Sequence, residues 1–308
     1  MIRNPASNAA LVMALTLGSI GAALAATPIN ETRALSPDGR LEIDNLKGSI
    51  EVRAWDRPEV RIQGSLGEGV EKLEISGDRD NLSVRVKYPR RGSGRGFMSG
   101  SDRSEPTDLR LMVPLRASLD IDSVSADVDV SGVAAGSLSI NSVSGEVVAA
   151  AAPSRAEIDT VSGDLRLTLN SSKVSVESVS GDVDLKGRLD GEVQAESVSG
   201  DVSVDTTGGQ LRRFTGATVS GDMRIDTALA RGGRISLQTV SGDVDLHMPG
   251  SLSANVRGES FSGDLSAPGA KINRPRHGPG SSFEHRYGAG DGDIQIESFS
   301  GDARLRMK

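Results

Sequence analysis

The stretch Thr160-Val161-Ser162-Gly163-Asp164-Leu165-Arg166-Leu167 decides the fold, because it recurs. The same pattern, Ser/Thr-Val/Phe-Ser-Gly-Asp-apolar-x-apolar, returns at 178–185, 197–204, 218–225 and 239–246. Variants occupy 123–130, where Ala126 stands in the glycine place, and 142 onward, where Glu146 replaces the Asp. Two more lie at 260–265 and 298–305. The glycine or its equivalent falls at 126, 145, 163, 181, 200, 221, 242, 263 and 301, in steps of 18 to 21 residues and a final 38. That last step is two periods long and predicts a unit that has lost its motif. The period is too short for a propeller blade or a helical-hairpin repeat.

Each unit carries two strand signals around a bend. Before the motif, apolar residues alternate, as in Leu138-x-Ile140, Val174-x-Val176 and Ile235-x-Leu237. After it come Leu165-x-Leu167 or Val183-x-Leu185. Alternation with β-branched side chains reads as half-buried strand. Gly accepts positive φ, and Ser and Asp side chains bond nearby backbone N–H groups, so Ser-Gly-Asp reads as the bend. The fold class is all-β. Two architectures fit: a parallel β-solenoid with one coil per unit, or an antiparallel β meander with Ser-Gly as a hairpin loop. The solenoid explains why residue identity, not only polarity, recurs at each register, since like residues stack on like. Levels ~4.8 Å apart would make nine units a rod of roughly 45 Å.

Composition agrees with a narrow core. The 308 residues include 36% apolar and 25% charged side chains, which is not a disordered composition. Only 1 Trp, 2 Tyr and 5 Phe are present, against 37 Gly. A thin coil filled by Val, Leu, Ile, Ala and Ser has no room for a ring at every level. The absence of cysteine excludes disulfides, thiolate metal sites and a thiol nucleophile. Three histidines leave little for a His metal centre or a charge-relay triad.

Residues 1–25 read as a secretory signal peptide: Arg3, an apolar stretch over 9–24, and Ala23-Leu24-Ala25 before a cut at Ala26. Without Arg3 the mature chain has 34 basic residues against 42 acidic, a charge of −8. That argues against nucleic acid as partner. No later stretch is long enough to predict a transmembrane segment in the mature chain, and the expected location is the periplasm or the cell surface. Residues 26–122 carry looser strand pairs and are expected to cap the solenoid of 123–308. Two segments, 89–107 and 266–292, are rich in Arg, Gly, Ser and Pro and are expected to be mobile insertions.

The chain resembles the bacterial putative-adhesin family of Ser-Gly-Asp-repeat β proteins, a domain of unknown function. The likeness runs from about residue 30 to 308. It includes Leu41-Glu42-Ile43-Asp44-Asn45-Leu46-Lys47-Gly48-Ser49-Ile50-Glu51-Val52, the strand 109–115 with Val113-Pro114, the serial motifs, and the closing Gly290-Asp291-Gly292-Asp293-Ile294-Gln295-Ile296. The resemblance implies an exported, all-β, solenoid-like protein without catalytic residues. Together with the repeat and the signal it points to an adhesive or cell-envelope scaffold, and the expected partner is an envelope glycan, a lipid headgroup or a protein surface.

Three sets of residues offer chemistry. The motif acids, with Asp164, Asp182, Asp201, Asp222 and Asp243 at the centre, would stack at ~4.8 Å and could bind calcium, giving a calcium-stabilised repeat. The bland alternative has each carboxylate bonding backbone N–H groups at its corner, and the glycine-rich nonapeptide of calcium β-rolls is missing. Acid pairs such as Asp182/Asp184 and Asp243/Asp245 would suit a polysaccharide-active β-helix enzyme. An active site should break a repeat, and here the acids are the repeat. Finally, Arg90, Arg91 and Arg95 in the first insertion, with Lys271, Arg274 and Arg276 in the second, form basic patches that could hold an anionic partner. The solvated-loop reading stands beside that one.

Overall fold

The computed structural model describes residues 27–89, 104–206, 208–276 and 279–308. Their 24 strands form one hydrogen-bonded sheet wound into a solenoid. The chain opens with β1 (Thr27–Ala34), β2 (Arg40–Trp55), β3 (Glu59–Leu66), β4 (Lys72–Gly77), β5 (Asn81–Lys87), β6 (Thr107–Pro114) and β7 (Ser118–Ser131). Each later coil has a strand before its motif and one after. In order these are β8 (Ser137–Ser144), β9 (Val147–Ala151), β10 (Arg155–Ser162), β11 (Leu165–Leu169), β12 (Ser171–Ser180) and β13 (Val183–Gly187). They continue as β14 (Leu189–Ser199), β15 (Val202–Thr206), β16 (Leu211–Ser220), β17 (Met223–Asp226), β18 (Leu229–Ser241) and β19 (Val244–Met248). The chain closes with β20 (Ala254–Ser262), β21 (Leu265–Ser266), β22 (Ser281–Tyr287), β23 (Gly292–Ser300) and β24 (Ala303–Met307).

The coils stack in parallel. Ile158 of β10 pairs with Ile140 below and Val176 above, and Leu167 of β11 lies between Ala149 and Leu185. The solenoid reading is therefore the right one, and the meander is excluded. The Ser-Gly-Asp bend is the corner between two parallel ladders. Gly181 shows why glycine is needed there. Its φ is +147°, and a Cβ would lie 2.3 Å from the carbonyl oxygen of Gly163 in the coil beneath. Glycine both allows the backbone angle and lets one corner rest on the next.

The interior is filled level by level with Val, Leu, Ile and Ala, and the few buried rings obey one rule. Phe214 is the largest fully buried side chain. Two residues on stands Gly216, where a Cβ would come within 3.0 Å of the Phe214 ring. Phe283 likewise fills the space over Gly258, where a Cβ would lie 2.2 Å from the ring. An aromatic enters this core only where a glycine vacates the volume, which is how close packing limits ring content.

The two ends are closed by antiparallel strands. At one, β3 lies antiparallel on β6, β1 on β3, and β4 on β5. At the other, β22 lies antiparallel on β20. This corrects two expectations for the region after Gly263. Residues 266–292 are not simply a mobile insertion, because β22 pairs along its whole length, and no motif-less coil fills the double period. The chain also doubles back: β23 inserts between β18 and β20, and β24 between β19 and β21. The last coil in sequence is the penultimate one in space. Residues 90–103, most of the first expected insertion, lie outside the described residues, as does the expected signal peptide. No helix among the described residues is long and apolar enough to cross a membrane.

Candidate functional site: a valine row flanked by carboxylates

Alternation places neighbouring strand residues on opposite faces. In Glu177-Ser178-Val179 the serine is buried, so Glu177 and Val179 face out on either side of it. Inside, the Ser178 hydroxyl donates to the carbonyl of Gly181 at 3.4 Å, and Thr218 does the same to Gly221 at 3.0 Å. Outside, the motif valine repeats in space as Val124, Val143, Val161, Val179, Val198, Val219 and Val240. The row continues through Phe299 and Phe261, whose rings stack 4.8 Å apart. These side chains are 43–56% exposed, although a hydrophobic strand residue is normally assigned to the core. Sequence reading missed them for that reason. The signal available was the recurrent Val or Phe one place from a recurrent Ser or Thr.

Beside the valines runs a second row, formed by the residue preceding the buried Asn45 and each buried Ser or Thr of the motif. Asp44, Asp122, Asp159, Glu177, Glu196, Glu297 and Glu259 occupy it, with Asn141, Ala217 and Gln238 among them, and all but Glu259 line the groove. The two rows bound a long open groove of about 1110 Å³. Burial pushes the carboxyl of Asp159 above its ordinary range, and Glu157 adds to the effect. Glu177 is raised by burial first and then by Asp159, Glu196 and Glu157. Asp44 is raised by burial although Arg85 opposes it.

The motif acids form a different row on the far side of the corner. Each carboxylate reaches across one level rather than staying at its own bend. Asp164 Oδ1 accepts the N–H of Asp182 at 3.2 Å, Asp182 that of Asp201 at 3.0 Å, and Asp201 that of Asp222 at 2.8 Å. Asp222 accepts from Asp243 at 2.8 Å, and Asp243 from Asp302 at 2.9 Å. The Asp302 N–H, helped by Arg304, holds Asp243 below the usual carboxylate range. These hydrogen bonds relieve the stacking of like charges, since a carboxylate that accepts backbone N–H groups is stabilised in its charged form. Among the described residues no three His, Asp or Glu side chains are grouped to hold a metal ion. The acid pairs are tied into the surface: Asp184 binds Lys186 at 2.6 Å, Asp243 binds Arg304 at 3.0 Å, and Asp245 binds Arg306 at 3.3 Å.

Of the basic candidates, Arg90, Arg91 and Arg95 lie outside the described residues. Lys271, Arg274 and Arg276 sit exposed in the connection from β21 to β22. Arg274 is bound to Asp264 at 2.5 Å, while Lys271 and Arg276 form no ion pair among the described residues. None of the three lines the groove.

A family model described as Toastrack DUF4097 matches residues 116–234 and 217–306, more than half of the chain. The chain belongs to the Toastrack DUF4097 family. The matched residues are the serial coils, from the strand before Ser123 to the last Ser-Gly-Asp corner, so the Toastrack repeat is the parallel level described above. Several solved structures are similar over most of their length. A putative lipid binding protein from Parabacteroides distasonis is 13% identical, with 92% of this chain and 97% of that one covered and a TM-score of 0.49. A putative adhesin from the same organism is 9% identical, with 91% and 97% covered and a TM-score of 0.49. A putative cell adhesion protein from Clostridium sporogenes is 12% identical, with 92% and 100% covered and a TM-score of 0.24. No curated protein matches the chain.

Proposed function

We propose that this Toastrack chain is an exported, non-enzymatic scaffold of the bacterial cell envelope that binds a linear partner along its valine groove. One observation carries the reading: the solenoid presents the same exposed valine at seven successive levels and continues the row with two stacked phenylalanines. Such a surface is built by repetition. It offers many equal, weak contacts whose sum is large when one long partner engages several at once. The chemistry of an active site would look different, with a local exception to the repeat and positioned acids and bases. An adhesive or envelope-binding role fits both the repeated surface and the expected signal peptide.

The test compares the protein with a Val179→Asp/Val198→Asp variant on arrays of envelope glycans, lipid vesicles and envelope protein extracts. Binding to an extended envelope component that the variant loses is expected. Turnover of a glycan, or binding unchanged in the variant, would sink the proposal. Cell fractionation with and without a salt wash checks the location, and a protein confined to the cytoplasm would contradict it.

A further inference from the structure

Of the ten large apolar side chains exposed on the described surface, nine stand in this one row, and only Leu115 lies elsewhere. Scattered exposed apolar residues are ordinary, whereas a contiguous row marks an interaction site. The flank of the row has a single sign. Its ionisable lining residues are Asp44, Asp122, Asp159, Glu177, Glu196 and Glu297, with no Lys, Arg or His. Arg85 pairs with Asp44 at one end of the row at 2.9 Å, and elsewhere on the rod acids are commonly paired, as Asp184 is with Lys186 at 2.6 Å. Asp159, Glu177 and Glu196 stand on three successive levels and form no ion pair among the described residues. Burial acts first against the charge of Asp159 and of Glu177, with Glu157 adding to it at Asp159 and Asp159, Glu196 and Glu157 adding to it at Glu177.

Resting on the groove-binding reading above, we propose that the partner is a basic polypeptide segment with aliphatic side chains. It would lie extended along the row, its apolar groups on the valines and its Lys or Arg ends on Asp159, Glu177 and Glu196. A Lys or Arg side chain can do both at once, laying its methylenes on apolar surface while its charged head reaches a carboxylate. Eight steps of ~4.8 Å, from Val124 to Phe261, span roughly 38 Å, which about eleven residues of extended chain would cover. The backbone groups of the coils are consumed in their own ladders, so no strand can be added along the groove. Recognition must come from side chains and reads composition more than sequence. A second copy of this chain would bring one carboxylate row against another, and an anionic lipid surface would be repelled by it.

The experiment uses labelled short peptides of alternating Leu and Lys, Leu and Ser, or Leu and Glu, titrated with the full mature chain at low and high salt. The Leu–Lys peptide is expected to bind at least about tenfold tighter than the others and to weaken with salt. Asp159→Asn/Glu177→Gln is expected to weaken it about fivefold or more, and Val179→Ser/Val198→Ser similarly. Asp190→Asn/Glu192→Gln removes the same charge outside the groove and should leave binding within about twofold. Cooperative melting near or above the parent temperature shows that all variants fold. If Leu–Ser binds as tightly and is lost in the valine variant, the groove reading survives and the basic partner is wrong. If no peptide responds to any groove variant, both fall. A dimer in sedimentation that Val179→Asp dissociates would overturn the proposal in favour of self-association.

Discussion

The guanidinium of Arg274 donates to Asp264 Oδ1 at 2.5 Å, in the place that a backbone N–H fills at the other levels. Asp264 is the outermost corner acid, and its own N–H is taken by Asp302 Oδ1 at 2.9 Å. Arg274 thus ends the carboxylate–amide ladder where no further coil follows. Both side chains are largely exposed, so the pair adds little to stability. Arg274→Ala should cost no more than about 1 kcal/mol, or roughly 2–4 °C in melting temperature. Its mark should be faster amide exchange confined to β21 and β22.

The stacked corners predict a contrast between glycines. Gly181→Ala places a Cβ 2.3 Å from the Gly163 carbonyl at φ +147° and has only backbone to push against. It should destabilise by about 3 kcal/mol or more. Gly208→Ala, at φ +70° with nothing within 4 Å, should cost about 1–2 kcal/mol. Denaturant titration of both variants decides this.

The two kinds of apolar residue should separate just as clearly. Leu185 is fully buried, and Leu185→Ala should cost about 2–5 kcal/mol. Val179→Ser should change stability by less than about 0.5 kcal/mol while impairing binding. Equal destabilisation by the two would show that the row is packed rather than presented.

Two signs of pH dependence are expected. The pKa of Asp243 is lowered on folding from an unfolded value near 3.8, first by the Asp302 N–H. Its contribution is complete above that unfolded value and is lost as pH falls through the folded one. Asp159 and Glu177 are raised, so at neutral pH their charge works against folding, and the penalty shrinks as pH falls through their folded values and is gone below their unfolded ones. Glu177→Gln should therefore melt at or above the parent temperature at pH 7 while binding basic peptide less well. Thermal melts across acid pH, for the parent and for Asp243→Asn and Glu177→Gln, test both signs.

Removing residues 292–308 should do more than shorten the rod. β23 and β24 are sandwiched between β18–β19 and β20–β21, so their loss strands the outer coil and its β22 cap. Proteolysis of the truncated chain should begin within residues 250–290 and stop near β19. A protected 250–290 segment would show that the outer coil docks without them.

The sequence by itself determined the unit. Recurrence of Thr160–Leu167 at a period of 18 to 21 residues specified an all-β repeat with glycine bends and a core of small aliphatics, and favoured parallel levels over a meander. Stacked identity has no other economical cause, and the ring-poor composition follows from the narrow interior. The same reading foresaw a hydrogen-bonding role for the corner acids. It placed their partners at their own bends, because a single sequence cannot show that Asp164 reaches the N–H of Asp182 eighteen residues on.

Only the tertiary structure decided what the unit presents and how its copies are ordered. Val161 and Leu165 are both apolar and both recur, and parity counted from Ile158 puts Val161 on the outer face of its strand but does not say that Leu165 returns to the core. The corner between them turns the chain, and alternation cannot be counted across a turn. The placing of β23 between β18 and β20 is likewise invisible in chain order. Coils with the same motif can stack in any sequence, and here the antiparallel β22 takes one edge of β20 while β23 takes the other. The valine groove exists because these long-range choices align nine levels, so it belongs to the assembled rod and to no single repeat.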